Sequence, residues 1–314
     1  MRLARIELGG TAVTAIVDDG GRCYSLGSDI DYVALGMTGL HPLIDQLQAA
    51  ITFGEAQPVV PQRWLPPVQP GKIIGVALNN AAFAPIAYRY FETPAFFMKA
   101  PSSLLGHGEA VMVREEYGLT HPEAELACVI GKRASGLNRD NALDAVFGYT
   151  IINDVTSVGL KDRDSMHIEF EREPAGYTRP DWRRHRDEAD WDLYLTYHFR
   201  SKCTDTFGPI GPWVTTANDV PDPDNLAISA WLGDRLIAQD STSNLSFSVT
   251  DVLVHLTRYS TLEAGDVVHF GTAVDPARYA LREADILADP RAMRIEIEGL
   301  GALVNPVRFI EQDN

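Results

Sequence analysis

Two stretches near the start of the chain alternate polar and apolar residues. Arg2-Leu3-Ala4-Arg5-Ile6-Glu7-Leu8 and Thr11-Ala12-Val13-Thr14-Ala15-Ile16-Val17 have the period of half-buried strands. Gly9-Gly10 turns the chain between them, and Asp18-Asp19-Gly20-Gly21 turns it again after the second. Leu43, Ile44, Leu47 and Ala50 fall at helical spacing and predict a helix over His41 to Ile51. Five prolines follow between Gln57 and Pro70: Pro58, Pro61, Pro66, Pro67 and Pro70. Each removes a backbone donor and fixes φ, so this stretch reads as a linker rather than an element. The domain boundary is placed there, giving a small N-terminal domain with its linker at 1–70 and a main domain at 71–314.

The main domain reads as β-rich. Short apolar runs at Lys72 to Leu78, Ala95 to Lys99, Leu126 to Ile130 and Val146 to Ile152 predict buried strands. Asn141 to Val146 offers a short helix between the last two. Val252, Leu253 and Leu256 give Val249 to Thr257 an amphipathic helical pattern, and Val267 to Phe270 and Met293 to Glu298 read as late strands. The fold class expected is mixed α/β and rich in strands. A charged insertion over 161–200 breaks the pattern, densest from Lys161 to Arg186 and containing Asp162-Arg163-Asp164, Glu169 and Glu171-Arg172-Glu173. A long polar stretch inside a compact domain is either a solvated surface insertion or a lid over a site.

Composition narrows the function classes. The 314 residues are 45% apolar and 22% charged, with 43 acidic against 27 basic side chains and a net charge of -16. Such a chain can bury a sizeable core and repels phosphate backbones, which disfavours nucleic acid as a partner. Cys23, Cys128 and Cys203 are scattered, without metal or disulfide spacing, so a reducing cytoplasm is expected. The charged start lacks the apolar core of a signal peptide, and no apolar run is long enough to span a membrane.

The most informative spacing is His121-Pro122-Glu123-Ala124-Glu125-Leu126. Residues two apart in a strand share a face, so Glu123 and Glu125 point the same way. Two carboxylates that close repel unless protonated or bridged by a cation. Asp154, after another apolar strand, can close the set as a third oxygen ligand. Three carboxylates suit Mg²⁺ or Mn²⁺, with Ca²⁺ as a further option, rather than Zn²⁺. A solvated Glu-x-Glu strand face is the plain alternative.

The chain resembles the fumarylacetoacetate hydrolase family. The resemblance is carried, in order, by Lys72-Ile73-Ile74-Gly75-Val76-Ala77-Leu78-Asn79, Phe97-Met98-Lys99-Ala100-Pro101-Ser102-Ser103-Leu104 and Pro122-Glu123-Ala124-Glu125-Leu126. It continues through Gly148 to Thr156, Asp205 to Trp213, Thr261 to Val268 and Gly271-Thr272, spanning about Gly71 to Pro306. It implies a fumarylacetoacetase C-terminal-like core of rolled mixed sheets, preceded by a small β-containing domain. It implies that Glu123, Glu125 and Asp154 hold the metal, that Lys202 lies beside metal and substrate, and that Thr272 binds the substrate carboxylate, with Ser102 and Ser103 shaping the pocket. It also implies a homodimer and a small 2-oxo acid substrate, often an acylpyruvate. The reaction would be C–C hydrolysis, decarboxylation or keto–enol interconversion, with the cation stabilising the enolate that each generates.

Two departures qualify this. Hydrolytic members carry a histidine and, three residues later, a glutamate that activate water, where this chain has Phe83 and Ile86. Neither accepts a proton. Val158 and Lys161 stand where an arginine and a glutamine are common. The reaction expected is hydrolysis of an acylpyruvate-type compound, with His167 of the insertion as replacement base and Glu169 as its orienting partner. His107 and Glu169 are further candidates for the base, His121, two residues before Glu123, is expected to back the metal ligands, and Phe83, Tyr88 and Tyr90 hint at an acyl group larger or more apolar than fumaryl. The alternatives are a tautomerase, isomerase or decarboxylase of a 2-oxo acid, and a metal-dependent binding protein without catalysis.

Overall fold

The structure is a computed structural model that describes residues 1–171, 176, 179, 184–274 and 283–310. Eleven strands form one sheet. Its main path runs Cys23–Ser25, Thr11–Val17, Arg2–Leu8, Gly208–Thr216, Val146–Asn153, Ala124–Ile130, Val267–Thr272, Ile73–Val76 and Phe96–Lys99. Neighbours are antiparallel except that Val267–Thr272 runs parallel to Ile73–Val76. A second, four-stranded sheet runs Arg235–Ser241, Ala227–Leu232, Met293–Ile297 and Gly301–Asn305. Leu126, Cys128, Ile151, Ile228, Ile295 and Phe270 are buried in one core cluster that includes residues of both sheets. Burial on both faces explains why the central strands read as continuous apolar runs, whereas the N-terminal pair alternates.

The expected strands are present within a residue or two of their sequence bounds. Other elements differ. The first helix spans Tyr32–Thr52, beginning well before His41. Asp31 caps it by accepting from the Ala34 amide at 2.9 Å, and Gly36 interrupts it at φ 64° and ψ 172°. Gly36, Gly39 and Pro42 mask that first half in the sequence, because all three are poor helix formers. The short helix expected over 141–146 is a three-residue 3₁₀ turn, Leu143–Ala145. The proline-rich stretch read as a linker contains a short strand, Arg63–Leu65, which pairs with Arg2–Leu8. The sheet is also continuous across the boundary placed near residue 70, since Arg2 and Leu3 pair with Thr215 and Val214.

Within the charged insertion, Val158–Arg163 is a helix, Ser165–Ile168 and Leu193–Thr196 form a hairpin, and Phe199–Cys203 is a short helix. Of the proposed lid, residues 172–175, 177–178 and 180–183 lie outside the described residues. No helix among the described residues is long and apolar enough to cross a membrane.

Candidate active site

Glu125 lies at the centre of the large sheet, opposite Ile152 on one side and Thr272 on the other. Asp154 immediately follows the neighbouring strand. The strand ends are tied together: the Asp154 amide donates to the Glu123 carbonyl at 2.9 Å, and the Glu123 amide donates to Asn153 Oδ1 at 2.9 Å. Glu123, Glu125 and Asp154 therefore line one cavity of about 720 Å³, together with Lys202 and Thr272.

The carboxylates sit in a network of charge. Asp154 is fully buried and accepts from Lys99 Nζ at 2.7 Å through Oδ1 and from Lys202 Nζ at 2.5 Å through Oδ2. Lys202 Nζ also donates to Glu123 Oε2 at 2.9 Å and Thr156 Oγ1 at 2.7 Å, and lies 4.9 Å from the centre of the Phe97 ring. Lys99 completes its donors on the carbonyls of Lys202 and Phe207. Burial alone would raise the Asp154 pKa, but Lys202 and Lys99 overcome it and hold the group well below the usual carboxylate range. For Lys202, burial opposes the charged form, and Asp154, Glu123 and Glu125 override it and raise the pKa. Glu125 shows the opposite balance: burial dominates and raises its pKa, while His269 pulls it back.

Oε2 of Glu125 accepts from the Gly271 amide at 2.8 Å and contacts His269 Nδ1 at 2.6 Å. Oε1 has no hydrogen bond among the described residues, and is the oxygen left to the cavity that Glu125 lines. Glu125, Asp154 and His269 offer ligand atoms within 4.8 Å of one another. Glu123 lies outside that group and accepts from Lys202 at its edge. The carboxylate oxygens of Glu125 and Asp154 are of the kind that suits a hard divalent cation.

His269 and Lys99 are site residues that the chemical reading of the sequence left without a role. A histidine inside the apolar run Val267-Val268-His269-Phe270 carried a signal, because a fully buried imidazole needs a partner. Ser102 and Ser103 are not brought to the cavity wall. Ser102 is exposed, while Ser103 is buried and donates to the Ala100 carbonyl at 2.7 Å. His167 and Glu169 are also elsewhere. His167 stacks on Tyr194 at 4.2 Å between ring centres, with Nε2 3.0 Å from Asp192 Oδ2 and Nδ1 4.0 Å from Glu169 Oε1. Local charge singled out His167, but its hairpin turns the ring onto that hairpin's own residues. The histidines that do line the cavity are His121 and His198. Burial lowers both pKa values, for His198 with help from Lys161 and Lys202, so both imidazoles are neutral at neutral pH.

Phe83 and Ile86, at the positions of the missing water-activating pair, line the same cavity. They lie in a 3₁₀ helix, Ala81–Ile86, capped by Asn80, whose side chain accepts from the Ala82 amide at 3.0 Å. Pro85 within this segment lacks the amide a continuing α-helix would use.

A family profile for the C-terminal domain of fumarylacetoacetate (FAA) hydrolase matches residues 72–308. The chain belongs to the fumarylacetoacetate hydrolase family. An uncharacterised protein of Archaeoglobus fulgidus is 30% identical over 260 residues, covering 82% of this chain and 87% of its own. A fumarylacetoacetate hydrolase domain-containing protein 2 homolog of Dictyostelium discoideum is 28% identical, covering 77% of this chain and 73% of its own. Among solved structures, maleylpyruvate hydrolase from Sphingobium sp. SYK-6, in complex with manganese(II) and pyruvate, superposes with a TM-score of 0.70 at 24% identity, covering 99% of this chain and all of that one. A 5-carboxymethyl-2-hydroxymuconate delta-isomerase from Mycobacterium smegmatis gives a TM-score of 0.68 at 22% identity with the same coverage. At these identities the structures share the fold.

Proposed function

We propose that the chain is a divalent-metal-dependent enzyme acting on a small 2-oxo acid, by hydrolytic C–C cleavage of an acylpyruvate-type compound. The observation that carries this reading is the convergence of Glu123, Glu125, Asp154 and Lys202 on one cavity that apolar side chains also line. A Mg²⁺ or Mn²⁺ ion held by the three carboxylates would supply Lewis-acid stabilisation of developing enolate charge. Lys202 adds a fixed ammonium at the same end, held by three side-chain oxygens, so it needs no reorganisation during reaction. Thr272, opposite Glu125 in the sheet and lining the same cavity, would meet the substrate carboxylate. His198, neutral and on the cavity wall, is able to accept a proton from water. Water adds to the acyl carbon, the C–C bond breaks, and the products are a carboxylic acid and pyruvate. The relatives support an acylpyruvate-type substrate, since one structural neighbour is a maleylpyruvate hydrolase.

A second reading has its own observation. The apolar Phe83 and Ile86 on the cavity wall favour tautomerisation, isomerisation or decarboxylation, which require no activated water there. The same experiment separates the two. Acylpyruvates, oxaloacetate and 2-hydroxydienoates are incubated with Mg²⁺ or Mn²⁺ and followed by ultraviolet loss of the enol, with product analysis. Release of pyruvate and a carboxylic acid is expected. Enol loss without fragmentation gives the second reading, and cation-dependent binding without turnover of any compound replaces both with a binding protein. A two-fold homodimer is part of the proposal. Sedimentation at micromolar concentration tests it, and a pure monomer would remove it.

A further inference from the structure

We propose that this site selects 2-oxo acids whose second arm is an uncharged hydrocarbon or aryl group, rather than one ending in a second carboxylate. This rests on the reading of the site as a 2-oxo acid site. The cavity is lined by two unlike groups of side chains. One is Glu123, Glu125, Asp154, Thr156 and Lys202; the other is Leu78, Phe83, Ile86, Phe91 and Phe96, and Phe97, 4.9 Å from Lys202 Nζ, adjoins the polar group. Leu78, Ile86 and Phe91 are exposed at 53%, 64% and 40%, so the apolar side continues to the surface.

The apolar side is a built wall rather than a loose loop. Leu78 adopts φ 50°, a conformation uncommon outside glycine, at the point where the chain leaves its strand. Asn79 Nδ2 then donates to the carbonyls of Phe247 at 3.0 Å and Phe270 at 2.8 Å, while its Oδ1 accepts from the Phe247 amide at 2.8 Å. Asn80 Nδ2 donates to Asp240 Oδ2 at 2.8 Å, and the Tyr90 hydroxyl donates to the Leu78 carbonyl at 2.5 Å. Two asparagines and a tyrosine thus fix the backbone that presents Phe83 and Ile86.

A second carboxylate needs a cation or several donors, because an unpaired ion against apolar groups loses its hydration without return. Among the described residues, the ammonium groups lining the cavity are Lys202, already engaged by Glu123 and Asp154, and Lys161, on the helix that follows Asp154. The Phe83 and Ile86 wall itself supplies no side-chain donor. An alkyl or aryl arm laid there gains by covering exposed apolar surface. The wall is continuous with the polar end, so one molecule with a 2-oxo acid head and an apolar arm matches both.

The test is calorimetry on the whole protein with Mn²⁺ and a fixed set of probes: 2-oxobutanoate, 2-oxopentanoate, 2-oxohexanoate, phenylpyruvate and 2-oxoglutarate. Affinity is expected to rise up to roughly fourfold per added methylene. 2-Oxoglutarate is expected to bind at least about tenfold more weakly than 2-oxopentanoate, the same chain without the second carboxylate. Phe83→Arg should narrow or reverse that order. Ile86→Lys, at a more exposed position, serves if Phe83→Arg fails to fold by circular dichroism. Equal affinity across chain length, or tighter binding of 2-oxoglutarate, overturns the inference while leaving the 2-oxo acid reading intact. Binding of none of the probes, 2-oxobutanoate included, sinks that reading and the inference with it. Should Ile86→Lys dissociate an oligomer and leave the probe order unchanged, a second copy covers the wall and the inference is overturned.

Discussion

His269 Nδ1 lies 2.6 Å from Glu125 Oε2, and both residues are buried in the middle of the large sheet. The imidazole has room because residue 75 is glycine. A Cβ there would fall 2.4 Å from His269 Cε1 and 2.5 Å from Nε2. Together with the Gly271 amide, His269 fixes one oxygen of Glu125 and leaves the other for a cation. Outer partners of this kind typically change metal affinity by about 10–100-fold when removed. His269→Leu should weaken Mn²⁺ binding to the protein by about tenfold or more, read by calorimetry without substrate. His269→Asn keeps a donor near the Nδ1 position and should recover much of it. Equal Mn²⁺ affinity in His269→Leu and the unaltered protein would show that the contact does not orient Glu125.

The ion network around Asp154 should report directly on stability. Asp154→Asn leaves Lys99 buried without its carboxylate, at a cost of about 3–5 kcal/mol. Lys202→Met instead leaves Glu123, Glu125 and Asp154 to repel one another, so its melting temperature should fall in chelator and recover with Mn²⁺ more than that of the unaltered protein. The pH dependence follows from the sign of the shift. The folded-state pKa of Asp154 is depressed, so its contribution is fully present above the unfolded value of about 3.9 and is lost as pH falls through the lower folded value. Acid unfolding in Asp154→Asn should therefore lose part of its steepness below about pH 4. An unchanged acid limb would count against the network.

How much of this was legible in the sequence depends on how local each signal is. Strands such as Arg2–Leu8 and Ala124–Ile130 are set by their own side-chain pattern, and their bounds read to within two residues. Glu123 and Glu125 share a cavity because period two puts them on one side; Asp154 was legible as the carboxylate after the next apolar strand, and the resemblance implied that all three hold the metal. The Glu125–His269 contact joins residues 144 apart, through a strand pairing that nothing local encodes. The same holds for Lys99 on Asp154, 55 residues away. His167 stood out by the charge around it, whereas His198 acquires its place only when the insertion folds back against the cavity. The early turns of the first helix were hidden by Gly36 and Gly39, which local propensity scores against and which tertiary packing of Tyr32, Val33 and Leu40 overrides.

The free cysteines give an independent check on packing. Cys23 and Cys128 are buried, and burial pushes their thiols up to about 11 and about 12. Both should resist alkylation at pH 8 in the folded protein and react promptly in denaturant, with mass spectrometry mapping the sites. Rapid labelling of Cys128 in the native state would contradict its place at the centre of the sheet.

The choice of base is the sharpest remaining test of the mechanism. His198 lines the cavity, and its pKa is lowered first by burial and then by Lys161 and Lys202. A base must be unprotonated to work, so a rate that depends on His198 should hold down to below the ordinary histidine value of about 6.5 and fall only under its own lower pKa. His198→Ala should lower kcat by about 10²–10⁴-fold with the best acylpyruvate and abolish that acid limb, while Mn²⁺ binding is retained. His167→Ala should leave the rate near that of the unaltered enzyme, because its ring is engaged by Asp192 and Tyr194 away from the cavity wall. The two variants, measured side by side across pH, give opposite answers for the two histidines. If His167→Ala is the one that loses turnover, the insertion must close over the cavity during reaction, and the assignment of His198 fails.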